Sequence, residues 1–359
     1  MNDPSFLILA INPGSTSTKA AVFRDEEQVT ESTIRHAPED FADCPTLFDQ
    51  RSVRMRSIMD MLERAGIRME DLDAAVGRGG LLKPIESGTY ATNEKMLADL
   101  SVGFASSHAS TLGALLASEI GKKYGIPSFI VDPVVVDELE PVARISGIPQ
   151  IRRRSIFHAL NSKAVARICA AEIGKKYEEC RFVVAHMGGG ISVGAHRYGR
   201  VVDVNDSLYG EGPFSPERSG GLPVEQLARL CYSGEYSREE IVAFTTKKGG
   251  MAAYLGTNDL REVERRIAEG DCEAGLIADA MAYQVGKEIG AMAAVLEYRL
   301  DGIVLTGGLA HSARFTGAIR RMVEAAATVY LYPGEDEMAA LAQGTLRVLR
   351  GQESPRVYS

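Results

Sequence analysis

The chain has 359 residues, of which 45% are apolar and 25% charged, and its formal net charge is 40 − 48 = −8. At about 150 residues per domain this is a two-domain length, enough to bury cores that need no metal or disulfide staple. The acidic balance argues against a general nucleic-acid binder, which needs a net basic surface against phosphate.

Phe6-Leu7-Ile8-Leu9-Ala10-Ile11 reads as a short buried strand. Residues 12–18 are turn chemistry, and Lys19-Ala20-Ala21-Val22-Phe23 resumes a strand. Residues 46–66 have helical spacing, with Leu47, Val53, Met55, Ile58, Met59 and Leu62. Ala74-Ala75-Val76 is a strand ending at Gly77-Arg78-Gly79-Gly80. Residues 107–124 read as a helix, and Phe129-Ile130-Val131 as a strand ending at Asp132. The opening pattern then recurs as strand 181–185, turn 186–190 and strand 191–195, with a third pass at 199–204. The offset is 186 − 12 = 174 residues, so two domains of related design are expected. Residues 274–298 form a long helix rich in small residues. Strand 301–306 runs into Gly307-Gly308 and a helix, and 337–350 is the last helix. Strands alternating with helices imply an α/β architecture.

The cysteines are Cys44, Cys169, Cys180, Cys231 and Cys272. Their odd number and the lack of a CxxC point away from disulfides and zinc and toward a reducing compartment. The run from Phe6 is too short for a signal-peptide core. No stretch approaches the ~20 apolar residues of a membrane span. The expectation is a soluble cytoplasmic protein that binds neither nucleic acid nor membrane.

Glycine is the outlier, with 36 residues, about 10% against a usual 7%. The glycines cluster after apolar strands. No GxxxxGK[ST], HExxH or GxSxG is present. Gly188-Gly189-Gly190 lies between two strands and opens no helix, unlike a dinucleotide fingerprint. What remains is a pair of hairpin turns whose backbone N–H groups can converge on anionic oxygens. Each alone is equally a plain hairpin. Ser15, Thr16, Ser17 and Thr18 add hydroxyl donors, and Lys19 adds a charge. Thr306-Gly307-Gly308 leads toward a helix N-terminus, which favours anions. Asp132 ends a strand, where a carboxylate can face the crevice of an α/β sheet; it is a catalytic candidate that could orient arginine or Mg²⁺ ligands. Thr257-Asn258-Asp259-Leu260-Arg261 reads as a helix N-cap.

Ile11-Asn12-Pro13-Gly14-Ser15-Thr16-Ser17-Thr18-Lys19 resembles the opening phosphate loop of the acetate kinase family, specifically its butyrate kinase branch. So do Gly77-Arg78-Gly79-Gly80, Phe157-His158-Ala159-Leu160-Asn161 and Ala185-His186-Met187-Gly188-Gly189-Gly190. The long block 210–220 (GEGPFSPERSG) and Tyr332-Pro333-Gly334-Glu335 complete the set. The blocks run in family order along nearly the whole chain, and the 210–220 block is the most specific. Acetate kinases proper tend to be longer and carry asparagine where this chain has Gly189, which favours the butyrate branch.

The resemblance implies two related actin-like ATPase (ribonuclease H-like) domains around an interdomain cleft. The expected boundaries are 1–155 plus 338–359 for the first domain and 156–337 for the second. It implies ATP-dependent phosphorylation of butyrate, or a related short or branched-chain carboxylate, to an acyl phosphate plus ADP. Mg²⁺ is the implied cofactor, and a dimer or larger homo-oligomer the implied assembly. By the same resemblance Arg78 and Arg218 contact the acid and the γ-phosphoryl oxygens, and His158 contacts the phosphoryl group. His186, Gly188, Gly189 and Gly190 shape the phosphate pocket, with His108 a third family histidine. The nucleotide residues are then Asn12, residues 15–19, Asp259, Arg261, Gly307 and Gly308. Asn12 and Glu337 stand near the metal, and Glu335 and Asp336 are neighbours within the same register.

The chemistry agrees in one respect. A carboxylic acid with pKa near 4.3 is already ionised at pH 7 and needs no general base. It needs cations and in-line alignment against a triphosphate of like charge. Arginine offers a planar fork for such oxygens. The alternatives are an acetate or propionate kinase, a sugar kinase with an aspartate base, or an actin-like ATPase module.

Overall fold

The computed structural model describes residues 4–102 and 109–359; His108 lies outside the described residues. The chain divides into two compact units, Met1–Val136 with Asp336–Ser359, and Asp137–Glu335. The first unit opens with strands β1 (Leu7–Pro13), β2 (Ser17–Arg24) and β3 (Glu27–Arg35). Helix α1 (Arg51–Arg64), β4 (Ala74–Gly77), β5 (Thr89–Ala91), α2 (Glu94–Ser101), α3 (Thr111–Tyr124) and β6 (Ser128–Val131) follow. The second unit contains α4 (Ala159–Glu172), β7 (Arg181–Met187), β8 (Ile191–Arg197) and β9 (Arg200–Val204). Next come α5 (Val224–Tyr232), α6 (Arg238–Thr246), α7 (Gly250–Leu255), α8 (Leu260–Ala268) and α9 (Cys272–Val295). β10 (Gly302–Gly307), α10 (Ala313–Val323) and β11 (Val329–Pro333) complete it. The chain then returns to the first unit with α11 (Glu337–Leu349) and β12 (Arg356–Val357).

The two sheets share a design. In the first the order is β12-β5-β6-β4-β1-β2-β3, and in the second β11-β10-β7-β8-β9. β1, β2 and β3 form an antiparallel meander, and β4 and β6 join parallel on the other side of β1. β7, β8 and β9 repeat that meander, and β10 and β11 repeat the parallel pair. The offsets coincide with the one read from sequence: 181 − 7 = 174 and 191 − 17 = 174. The two domains of related design are therefore present.

Apolar alternation explains the layering. Leu7, Leu9 and Ile11 pack against Ile58 and Leu62 of α1 and Leu112, Leu116 and Ile120 of α3. Ile8 and Ala10 point the other way along the strand and are equally buried, which fits a strand covered on both faces. Helix α11 also packs against β1, β4 and β6. In the second unit Val183, Ala185 and Met187 meet Met281, Val285 and Ile289 of α9. Phe182 and Val184 face Val165 and Cys169 of α4 on the opposite side.

One expected element differs. The α-helix after Gly307-Gly308 does not start there. Residues Gly308–His311 make a short 3₁₀ turn, and α10 begins at Ala313 under a Ser312 cap. Gly307 ends β10 with φ +90°, and its N–H bonds the Gly334 carbonyl at 3.1 Å. That closure bends the chain before a helix can form. Among the described residues no helix is long and apolar enough to cross a membrane.

The cysteines are all free. Burial pushes the Cys169 thiol up to about 11 and raises Cys180 as well. The thiolate is the nucleophile, so iodoacetamide at pH 8 should modify exposed Cys231 and Cys272 and spare Cys169 and Cys180 until the protein unfolds. Peptide mass spectrometry with and without urea checks this; rapid labelling of Cys169 in the native protein contradicts the burial.

Candidate active site

The first hairpin turn is built on a buried cation. Gly14 N–H donates to Ser17 O at 2.8 Å, leaving Ser15 and Thr16 exposed at the tip. Beneath the tip lies Arg54 of α1, which is fully buried. Its guanidinium donates to Ser17 O (2.7 Å), Thr18 Oγ1 (2.9 Å) and Ser15 O (3.4 Å). It also reaches Gln50 Oε1 at 2.9 Å and lies over the Phe41 ring. Burial lowers its pKa to about 10, so it stays cationic at neutral pH. Arg54 is not among the residues that the helical spacing of 46–66 singles out. The signal was present, since Arg54, Ile58, Met61 and Leu62 occupy one stripe of α1 at i, i+4, i+7 and i+8.

Strand alternation sorts the hydroxyls of this loop. Thr18 points into the core, where its hydroxyl also meets His36 Nε2 at 2.8 Å. Ser15 and Thr16 remain outside. Lys19 stands on the other face of β2 and pairs with Glu31 at 3.0 Å.

Next to this turn, Asn12 ends β1 and Arg78 follows β4. Arg78 N–H donates to Ile11 O at 2.9 Å. Gly77 permits the close approach of α3: a Cβ there would stand 1.9 Å from Gly113 O. Both side chains meet Glu337, the first residue of α11. Arg78 Nη1 bonds one carboxylate oxygen and Asn12 Nδ2 the other. Asp132 is buried after β6, with φ +38°. Its carboxylate accepts from Ser87 Oγ (2.6 Å) and Gly88 N (2.8 Å), bracing that segment. The three adjacent acids thus separate. Glu337 serves Asn12 and Arg78, Asp336 accepts from Ala339 N to cap α11, and Glu335 belongs to the second unit.

In the second unit the turn Gly188–Gly190 closes with Gly188 N–H on Gly190 O at 2.9 Å. His186 lies at the end of β7, and His158 is the N-cap of α4. Their rings stack with centroids 4.3 Å apart. His158 Nε2 is 3.3 Å from Glu335 Oε2, and His186 Nε2 is 3.4 Å from Oε1. Burial would raise the Glu335 pKa, but the bonds from His158 and His186 outweigh it and hold the carboxyl well below its usual range. The three ligand atoms lie within 4.8 Å of one another, a spacing compatible with a metal. Mg²⁺, however, prefers oxygen donors, and this group offers only one carboxylate beside two imidazoles.

Arg218 lies in the 210–220 block. Its Nη1 donates to Ser207 O at 2.7 Å. Burial lowers its pKa against the opposing pull of Glu217 and Asp206. Its Nε is buried with no hydrogen-bond partner. Gly190 makes room for it, since a Cβ there would come within 1.7 Å of Nη1. Ser215 Oγ donates to Gly189 O at 2.7 Å and ties the block to the turn. Asn258 Nδ2 reaches Glu217 Oε1 at 2.6 Å, so residues 257–261 belong to the same neighbourhood. Asp259 caps α8 through Arg261 N and pairs with the Arg261 guanidinium at 2.7 Å. Gly307 packs against the β7 end: a Cβ would meet Met187 O at 2.5 Å, whereas Gly308 faces open space.

A model of the acetokinase family matches residues 148–345, more than half of the chain. The chain belongs to the acetokinase family. An acetokinase is a carboxylate kinase, transferring a phosphoryl group between ATP and a short-chain acid. Solved structures agree in fold. An acetate kinase from Porphyromonas gingivalis aligns over 96% of this chain and 100% of its own, with TM-score 0.78 and 20% identity. A propionate kinase from Francisella tularensis aligns over 94% and 98%, with TM-score 0.76 and 19% identity. An acetate kinase from Entamoeba histolytica covers the same shares with TM-score 0.75 and 17% identity. In this acetokinase the matched stretch contains His158, the second hairpin turn, the 210–220 block and Glu335. Asn12, Arg54 and Arg78 lie outside it.

Replacing Arg54 by Met should remove its bonds to Ser17 O, Thr18 Oγ1 and Gln50 Oε1. Hydrogen bonds to a charged group contribute about 1.5–3 kcal/mol each, so urea unfolding should show a loss of ~2–4 kcal/mol. An unchanged midpoint contradicts the bracing role.

Proposed function

We propose that this acetokinase phosphorylates butyrate, or a related short or branched-chain carboxylate, with ATP and Mg²⁺, giving the acyl phosphate and ADP reversibly by direct in-line transfer. The observation that carries the reading is Arg218: a half-buried arginine packed against the second glycine turn, with its Nε buried and unpartnered. A hydroxyl acceptor needs a base, whereas a carboxylate at pH 7 is already the nucleophile. The task left to the protein is to oppose charge repulsion and align the groups. Buried or half-buried arginines suit that task, because their charge is not lost on desolvation.

In this reading Arg218 and Arg78 are the guanidiniums that bind carboxylate and γ-phosphoryl oxygens. His158 and His186 donate N–H bonds to phosphoryl oxygens. The amides of the turns at 14–17 and 188–190, with the exposed hydroxyls of Ser15 and Thr16, bind the polyphosphate. Residues 257–261, with Asp259 and Arg261, border the nucleotide. Glu337 and Asn12 would hold Mg²⁺, which supplies neutralising charge to the phosphates. Asp132 positions the first unit's loops. The butyrate preference rests on the sequence blocks and on Gly189. A Cβ at 189 would find Glu217 at an ordinary 3.5 Å, so packing alone does not demand glycine there.

Trapping acyl phosphate with hydroxylamine, using ATP, Mg²⁺ and linear or branched acids of two to six carbons, tests this. The four-carbon or branched acids should give the highest kcat/KM, because one methylene in an apolar pocket is worth about 1–3 kcal/mol. A clear optimum for acetate replaces the butyrate reading, and no hydroxamate with any acid removes the assignment. Arg218→Ala should lower turnover by about 10²–10³, the scale for losing a transition-state donor, with ATP affinity nearly unchanged. Near-normal turnover rejects the role given to Arg218.

A further inference from the structure

The hydrogen bonds behind the histidine pair determine where their protons sit. Gly334 O is a pure acceptor, and the Thr306 hydroxyl lies 3.3 Å from it. With its single proton directed there, Thr306 Oγ1 accepts from its other neighbour. That neighbour is Asn161 Nδ2, at 3.1 Å. The amide orientation of Asn161 follows, since its oxygen has no proton to give. The second proton of the same Nδ2 points at His186 Nδ1, 2.9 Å away. His186 Nδ1 therefore holds a lone pair, and the ring proton of neutral His186 sits on Nε2. His158 reaches the same state by a shorter route. Its Nδ1 accepts from the backbone N–H of Asn161 at 3.3 Å. Both Nε2 atoms face Glu335. Asn161 and Thr306 are almost wholly buried, so water does not scramble the chain of bonds.

We propose that Asn161 and Thr306 are positioning residues for phosphoryl transfer: through His186 Nδ1, and through the Asn161 amide on His158 Nδ1, they hold both rings as Nε2–H donors aimed at one anionic oxygen site. This rests on the carboxylate-kinase reading above, in which that oxygen belongs to the transferred phosphoryl group. Glu335 takes the same two donors in the free chain. The opposite tautomer presents a lone pair to an anion and repels it. A histidine that ligates a metal commonly donates from its remote nitrogen to an acceptor; here both remote nitrogens accept, so the pair is arranged for an anion. The sequence offered Asn161 only as part of a five-residue block, with no sign that one residue serves two histidines.

The test uses ¹⁵N-histidine chemical shifts, which separate a bare from a protonated ring nitrogen. Glu335→Gln removes the carboxylate that also favours Nε2–H, leaving the Asn161 network to decide. Wild type and Glu335→Gln should both show bare Nδ1 and protonated Nε2 at His186 and His158. Adding Asn161→Leu to Glu335→Gln should give a mixed tautomer at His186, while His158, held by a backbone amide, keeps its own. Thr306→Val in the same background should act in the same direction and serves if the leucine variant does not fold. Asn161→Leu alone should lower kcat roughly threefold to tenfold, the worth of one hydrogen bond, with little change in KM for ATP. Protonated Nδ1 at His186 in wild type or Glu335→Gln overturns the proposal, as does pure Nε2–H in both double variants. Wild-type kcat in Asn161→Leu with an altered tautomer overturns the positioning role. Failure of the kinase reading would appear separately, as no hydroxamate from the wild-type protein whatever the tautomers.

Discussion

Hydrogen-bond donors gathered in one place repel one another until something negative stands among them. That constraint organises both units. Glu337 stands between the Arg78 guanidinium and the Asn12 amide, and Glu335 between two imidazoles. Each carboxylate keeps its donors ordered and solvated by charge. In the proposed reaction, donors ordered in this way during folding would need little reorganisation, which is the condition for electrostatic catalysis.

The same logic reaches beneath the turns. Each hairpin turn closes with an amide on one of its own carbonyls, Gly14 N–H on Ser17 O and Gly188 N–H on Gly190 O, and a second donor braces it from outside the turn. In the first unit Arg54 takes up the carbonyls of Ser15 and Ser17 from below. In the second, Ser215 takes up Gly189 O. The two units solve one problem with different residues on the same meander of strands.

Much of the architecture could be read along the chain because strand and helix periods are local. The 174-residue offset appears in the strand starts themselves, and the apolar runs of β1 and β7 show strands buried on two faces. Close packing was legible where glycines stood in the sequence, as at Gly77 beside Arg78 and at Gly190, against which Arg218 packs. Other placements were not. Thr18 looked like one more hydroxyl of the loop, yet its place one step along β2 turns it inward. The helix expected at Gly307-Gly308 gave way to a short turn, because a pairing with Gly334 from a distant strand bends the chain there.

By itself the sequence determined the class of fold, the twin hairpins and the acidic net charge. These depend on composition and on spacing over a few residues, whereas the carboxylate-kinase family was read from a resemblance of whole sequence blocks. Only the tertiary structure decided how the three acids at 335–337 divide their work, that a buried arginine supports a loop 36–39 residues upstream, and that the Asn161 amide stands between His186 and Thr306. Those outcomes depend on partners far apart in the chain, such as Asn12 with Glu337 and Asn161 with Thr306. No local pattern encodes them, because each hydrogen bond is set by where separate elements come to rest against a common core.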